Sequence, residues 1–147
     1  MESRDMNAWP SAEISRIATT DDLHIAPFRA DDVTYGTPTW IWSVVVDGRL
    51  FVRAWNGTRS RWYASAMRQR SGRIIAAGST FEVDFAPAEP ALEEQIDAAY
   101  REKYAGSEYL PPMLADGPRA ATVEIAPAAT EHDRASRNGV RRARPSR

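Results

Sequence analysis

One short run, Asn56-Gly57-Thr58-Arg59-Ser60-Arg61, has the side chains and the spacing of an anion site. A helix is predicted to begin at Arg61, so its first backbone N–H groups lack intrahelical partners and its dipole presents a positive end. Thr58 and Ser60 add hydroxyl donors. Arg59 and Arg61 add planar guanidinium forks that match a phosphate. Gly57 lets the backbone come close to a ligand. Arg53 reaches in from the preceding strand, with Trp40, Trp42 and Trp55 predicted on the same strand face. A flat apolar wall beside a cationic pocket suits a planar ring with a phosphate tail. The same residues admit a plainer reading. Arg53 opposite Trp42 would be a cation–π pair, Ser60 a helix cap, and the tryptophans a dimer interface.

What the chain lacks narrows the chemistry. It has no cysteine, which excludes a disulfide framework, a thiolate zinc site and a cysteine nucleophile. Its two histidines are His24 and His132, the second in a polar tail, which argues against a histidine-rich metal site; no metal is expected. His24 falls in a predicted strand with no Ser, Cys or acidic partner in view, and reads as structural. No acid/base pair or nucleophile constellation is legible, so catalytic residues stay unassigned.

At 147 residues the chain suffices for one domain with a real core. A formal net charge of −1 selects neither for nor against nucleic acid. Lys103 is the only lysine, and the remaining cations are arginines. The N-terminus shows no basic segment followed by an apolar run, and the longest apolar runs are too short to span a bilayer. The expectation is a cytoplasmic protein with no membrane partner.

The elements that must position the candidate site follow from periodicity and turn chemistry. Residues 1–10 read as an extension. Trp9, Ile14 and Ile17 recur at roughly helical spacing, Ser11 is placed to cap and Glu13 to face the dipole, predicting a helix over 11–19. Leu23 to Ala26 reads as a strand stopped by Pro27. Pro38 to Val46 and Arg49 to Trp55 read as two strands around Asp47-Gly48, a two-residue hairpin turn that fixes register. Val46 then faces Arg49, Val44 faces Phe51, Trp42 faces Arg53 and Trp40 faces Trp55. The other face carries Thr39, Ile41, Ser43, Val45, Leu50, Val52 and Ala54.

Both faces of that hairpin are largely apolar, which a one-layer sheet on solvent does not need and a barrel does. The aliphatic face suits the interior. The Trp/Arg face suits a helix, a ligand or a second subunit. A helix over 61–70, strands over 73–77 and 80–86, a helix over 90–104 and a strand over 121–126 complete the order. The fold class is a β-barrel with peripheral helices (α+β), about six strands and three helices, spanning residues 11–127. Residues 128–147 form an Arg-rich tail without apolar periodicity, predicted disordered. A solvated terminus is favoured there over nucleic-acid contact.

Several segments carry a family resemblance: Thr37-Pro38-Thr39-Trp40, Val45-Val46-Asp47-Gly48, Phe51-Val52-Arg53-Ala54, Asn56-Gly57 and Ser60-Arg61-Trp62-Tyr63. Together they resemble a bacterial domain-of-unknown-function family that is similar to the flavin-binding split-barrel proteins. Those include pyridoxamine-phosphate-oxidase-like proteins and deazaflavin-dependent nitroreductases. The resemblance implies an FMN-binding split-barrel-like fold, a homodimer, and FMN or a deazaflavin in a groove against the barrel. It implies cofactor contacts from Thr37-Pro38, the Ala54 to Gly57 segment and Trp62. Joined to the anion-site reading, the expected set has Arg53, Asn56, Gly57, Ser60 and Arg61 at the phosphate end and Thr37 and Trp40 near the ring, with Pro38 and Trp62 beside them. In one place the chain departs from its deazaflavin relatives. Where they carry a basic, phosphate-gripping turn, it has Arg29-Ala30-Asp31-Asp32-Val33.

The function expected is therefore a flavin- or deazaflavin-dependent oxidoreductase-like protein. Its phosphorylated planar cofactor would lie beside hairpin 38–55 and the N-terminus of helix 60–70. The alternative is a cofactor-free split-barrel homodimer acting as a ligand-binding or interaction module, which the acidic turn favours.

Overall fold

The computed structural model describes residues 6–128. Its strands are β1 (Leu23–Pro27), β2 (Thr39–Ile41), β3 (Ser43–Val46), β4 (Arg49–Arg53), β5 (Ser71–Ala76), β6 (Ser79–Pro87) and β7 (Thr122–Pro127). Its longer helices are α1 (Ser11–Ala18), α2 (Arg61–Gln69) and α3 (Glu93–Lys103); two short ones follow, α4 (Leu110–Met113) and α5 (Asp116–Ala120). All strand pairs are antiparallel, and the sheet order is β2-β1-β5-β6-β7-β4-β3.

The β3–β4 hairpin has the turn its sequence demands. Asp47 and Gly48 both take positive φ, 52° and 75°, the mirror-image turn whose twist matches the flanking strands. Val46 pairs with Arg49 and Val44 with Phe51, as the turn chemistry predicts. The ladder then stops at Ser43↔Val52. Trp42 does not pair with Arg53, nor Trp40 with Trp55; Trp40 instead pairs with His24 on β1.

The cause lies on α3. The Trp42 ring stacks on Tyr104 at 3.8 Å and 5°. The Ser43 N–H donates to the Tyr104 hydroxyl at 3.1 Å, which donates in turn to the Ser43 carbonyl at 3.2 Å. Lys103 Nζ donates to that same carbonyl at 2.8 Å. Burial pushes the Tyr104 pKa up to about 12, so the hydroxyl keeps its proton. These contacts hold the run from 39 to 46 open at Trp42. One half joins β1 and the other β4. Six expected strands become seven, and because β2 and β3 stand at the two ends of the order, the sheet curls into a near-closed barrel.

The barrel interior holds Leu23, Ile25, Leu50, Val52, Ile74, Val83 and Ile125, with Ile14 and Ile17 of α1 and Ala66 of α2 packed on it. Leu50 and Val52 come from the face expected to point inward. Each fully buried side chain of this size stabilises the fold by roughly 1.5–3 kcal/mol. The outer face of β3 and β4 is covered by the chain itself: Val44 and Phe51 pack with Ile96, Tyr100, Tyr104 and Met113. Gly72 lets β5 cross close to β1; a Cβ there would lie 2.6 Å from the Ala26 carbonyl oxygen.

Two capping expectations change. Ser11 lies inside α1, whose cap position is the extended Pro10, with no side-chain cap bond. Ser60 is at the cap of α2 in extended conformation, but its hydroxyl makes no cap bond either. Trp9, assigned to the extension, is buried and donates from Nε1 to the Ile125 carbonyl at 2.9 Å. None of the described helices is long and apolar enough to cross a membrane. Ala128 donates its N–H to Glu82; the rest of the predicted tail lies outside the described residues.

Candidate functional site

A groove of about 660 Å³ opens where β2, the end of β4, the start of α2 and the α4 turn meet. Four tryptophans wall it: Trp40, Trp42, Trp55 and Trp62. Arg53, Asn56, Ser60 and Arg61 supply its polar groups, and Thr39, Ile41, Tyr109 and Met113 complete the lining. Trp40, Trp55 and Tyr109 are about half exposed, and Trp55 meets Tyr109 edge to face at 5.8 Å. Trp40 is fixed by its Nε1, which donates to the Asp21 carbonyl at 2.7 Å.

Six of the nine expected cofactor contacts come together here, Trp40, Arg53, Asn56, Ser60, Arg61 and Trp62, and with them Trp42 and Trp55 of the expected apolar wall. Thr37, Pro38 and Gly57 do not line the groove. The Thr37 hydroxyl accepts from Arg29 Nη2 at 3.4 Å, and Pro38 is exposed just before β2. Gly57 is buried at φ 68°, and a Cβ on it would lie 3.2 Å from the Gly117 carbonyl oxygen. Its close backbone approach is to α5 rather than to a ligand.

The two cations of the groove differ. Arg53 is fully buried. Its Nε donates to Thr122 Oγ1 at 3.0 Å and its Nη1 to the Met113 carbonyl at 3.2 Å. Nη1 also lies 2.7 Å from Asp97 Oδ1. Asp97 Oδ2 accepts from Arg119 Nη2 at 2.9 Å, and Arg119 Nε lies 3.4 Å from Glu93. The charges alternate and cancel along this chain. The aromatic under Arg53 is Tyr100, at 5.1 Å, rather than Trp42. Burial also pushes the Tyr100 phenol pKa upward. Among the described residues Arg53 Nη2 is buried without a hydrogen-bond partner, as are Tyr100 Oη and Arg119 Nε of the same cluster.

Arg61, by contrast, is exposed and makes no ion pair among the described residues. It stands on the first turn of α2, whose leading N–H groups have no side-chain cap. That end of the groove keeps the electrostatics expected of an anion site.

The acidic turn does not line the groove. Asp31 accepts from the Val33 and Thr34 N–H groups at 2.9 and 2.8 Å and from the Thr34 hydroxyl at 2.6 Å. The Thr34 hydroxyl, then the two N–H groups, hold its pKa down at about 2. The carboxylate shapes its own turn. His24 Nδ1 lies 3.5 Å from Asp22 Oδ1, so an acidic neighbour is present after all, but neither lines the groove. Among the described residues, no three or more His, Cys, Asp or Glu side chains gather as a metal site.

Sequence reasoning missed Asp97, Tyr109, Met113 and Thr122. Asp97 had a signal. It lies three residues before Tyr100 and seven before Tyr104, on the stripe of α3 that faces the barrel. A carboxylate there needs a buried cation. The consecutive prolines at 111 and 112 were the hint of α4, since proline is tolerated in a first helical turn.

A family model described as an uncharacterized protein conserved in bacteria (DUF2255) matches residues 13–125, and the chain belongs to that family. Among solved structures it is similar to the crystal structure of conserved hypothetical protein Rv2991 from Mycobacterium tuberculosis. The TM-score is 0.55 at 17% identity, over 89% of this chain and 87% of that one; a likeness at that identity concerns the fold. Comparison with curated proteins found no match.

Proposed function

We propose that this DUF2255 chain is a flavin- or deazaflavin-dependent oxidoreductase-like protein whose groove holds a phosphorylated planar cofactor. One observation carries the reading: four tryptophans meet Arg61 and the uncapped start of α2 in a single groove of about 660 Å³. The indoles would cover the faces of a flat ring. Arg61, Ser60 and the leading N–H groups of α2 would take the phosphate. The Arg53 N–H without a partner among the described residues supports the fit, since it is a buried donor open to a ligand acceptor. The near-closed antiparallel barrel supports the split-barrel resemblance. Such a cofactor supplies the hydride chemistry when bound, which agrees with the lack of a legible acid/base constellation. This chain's own part is to bind, orient and keep water from the ring faces. Thr37, Pro38 and Gly57 are left out of the contact set.

The test is titration of the purified full chain with FMN and, separately, with a deazaflavin, followed by visible absorbance and tryptophan fluorescence. Saturable quenching is expected, weakened at least tenfold by Arg61→Ala, given that a charge-assisted hydrogen bond contributes about 1.5–3 kcal/mol. No binding of either compound at high micromolar concentration sinks the proposal.

The half-exposed Trp40, Trp55 and Tyr109 favour a second reading, a cofactor-free homodimer closed over this face. In that case Arg53→Ala and Arg61→Ala alter the dimer's dissociation constant in sedimentation, and no flavin affinity exists to change.

A further inference from the structure

The two ends of the groove are built for different chemistry. At the floor, Arg53 faces Asp97, with Arg119 and Glu93 alternating behind it. The guanidinium charge is already balanced. A full anion pushed against it would lose its hydration and gain little net attraction. Among the described residues, Arg53 Nη2 at the floor has no acceptor, and neither does the Tyr100 hydroxyl beneath it. A buried N–H without a partner is costly, and a carbonyl oxygen is the least costly group to bury that satisfies it. At the mouth, Arg61 is exposed and unpaired among the described residues, and the positive end of α2 stands beside it. Net positive charge is there and not at the floor.

We infer that the groove sorts its ligand by polarity. An uncharged, carbonyl-bearing edge of a planar heteroaromatic ring goes inward to Arg53, and the anionic tail stays outward at Arg61. Arg53 is thus the residue that selects for a ring carbonyl, and it contributes nothing to reading the phosphate. Met113 shares the groove wall beside Arg53. Its backbone is held by Arg53, while its unbranched thioether side chain can shift to admit the ring edge.

This rests on the cofactor reading above and refines it, so the experiment separates the two. The full chain is titrated with lumiflavin, which has the carbonyl-bearing ring and no phosphate, and with FMN, which has both. Arg53→Lys keeps a cation for Asp97 but removes the second donor. It is expected to weaken both ligands by the same factor, roughly tenfold for one lost hydrogen bond. Arg61→Ala is expected to weaken FMN alone. If Arg53→Lys weakens FMN and spares lumiflavin, Arg53 reads the phosphate and the proposed orientation is wrong. If Arg53→Lys changes neither, Arg53 is structural and the inference fails while the cofactor reading stands. If the wild-type chain binds neither lumiflavin nor FMN, the inference falls, and the cofactor reading falls with it when the deazaflavin does not bind either. Should Arg53→Lys not fold, nitrogen-15 NMR of the wild-type guanidinium decides the same question. Lumiflavin alone must shift the Arg53 side-chain resonance, and an unmoved resonance at saturation overturns the inference.

Discussion

Removing Arg53 and Asp97 together is expected to be far milder than removing either one. Breaking a buried ion pair from one side costs about 3–5 kcal/mol, because the remaining charge stays buried. The two sides are not equivalent here. Arg53→Met leaves Asp97 with Arg119 at 2.9 Å, so its cost falls at the lower end, about 3 kcal/mol. Asp97→Leu leaves a guanidinium with no solvent exposure and two neutral acceptors, Thr122 and Met113. Its cost falls at the upper end, about 5 kcal/mol. The double variant replaces both charges with apolar atoms of similar volume and is expected within about 2 kcal/mol of the wild type. At about 2–4 °C per kcal/mol for a chain of this size, Asp97→Leu lowers the melting temperature by about 10–20 °C. The double variant recovers most of that loss. Thermal unfolding by circular dichroism reads all three. A double variant as unstable as the sum of the two singles refutes the reasoning, since the charges would then not be each other's main compensation.

Three further outcomes follow from single contacts. Gly57→Ala forces a side chain into positive φ against the Gly117 backbone and should cost about 1–2 kcal/mol, read as a shift in the urea midpoint. Tyr104→Phe removes the acceptor for the Ser43 N–H; the orphaned donor should cost about 1–3 kcal/mol and change the near-ultraviolet signal of the stacked Trp42. The third concerns pH. The folded pKa of Asp31 is depressed to about 2 from 3.8, so its contribution is fully present above about 4 and is lost as pH falls through about 2. Urea midpoints between pH 2 and 5 should show this slope in the wild type and a shallower one in Asp31→Asn. Equal slopes would contradict it.

The parts of this fold that were legible in the sequence are those set by neighbours along the chain. Asp47-Gly48 dictates a turn, the turn dictates the register from Val46↔Arg49 to Val44↔Phe51, and the register sorts Leu50 and Val52 inward. The break at Trp42 was not legible, because nothing near Trp42 causes it. It is made by Tyr104 and Lys103, about sixty positions away on α3. The site divides in the same way. Gathering Asn56, Ser60, Arg61 and Trp62 needed only the strand-to-helix junction that carries them. The state of Arg53 depended on Asp97 and Thr122, which tertiary packing brings to it. Ser60 also shows the limit of type-based reasoning: a serine at the cap position suggested a capping hydroxyl, yet the side chain makes no cap bond and lines the groove instead.

The place of β7 has a consequence for how the protein is made. It is the last strand among the described residues, yet it sits between β6 and β4, with ladders to both. Until residues 122–127 leave the ribosome, the nascent chain can form a β2-β1-β5-β6 sheet and a β3–β4 hairpin, linked through Trp42 between β2 and β3 but with no ladder between β6 and β4. Two bare edges, on β6 and β4, stay available to any passing strand during that interval. Among the described strands, the one that pairs with both is synthesised after all the others. A barrel that leaves few edges once finished is thus at its most adhesive just before completion, and that is the moment when a holding chaperone matters most to its yield.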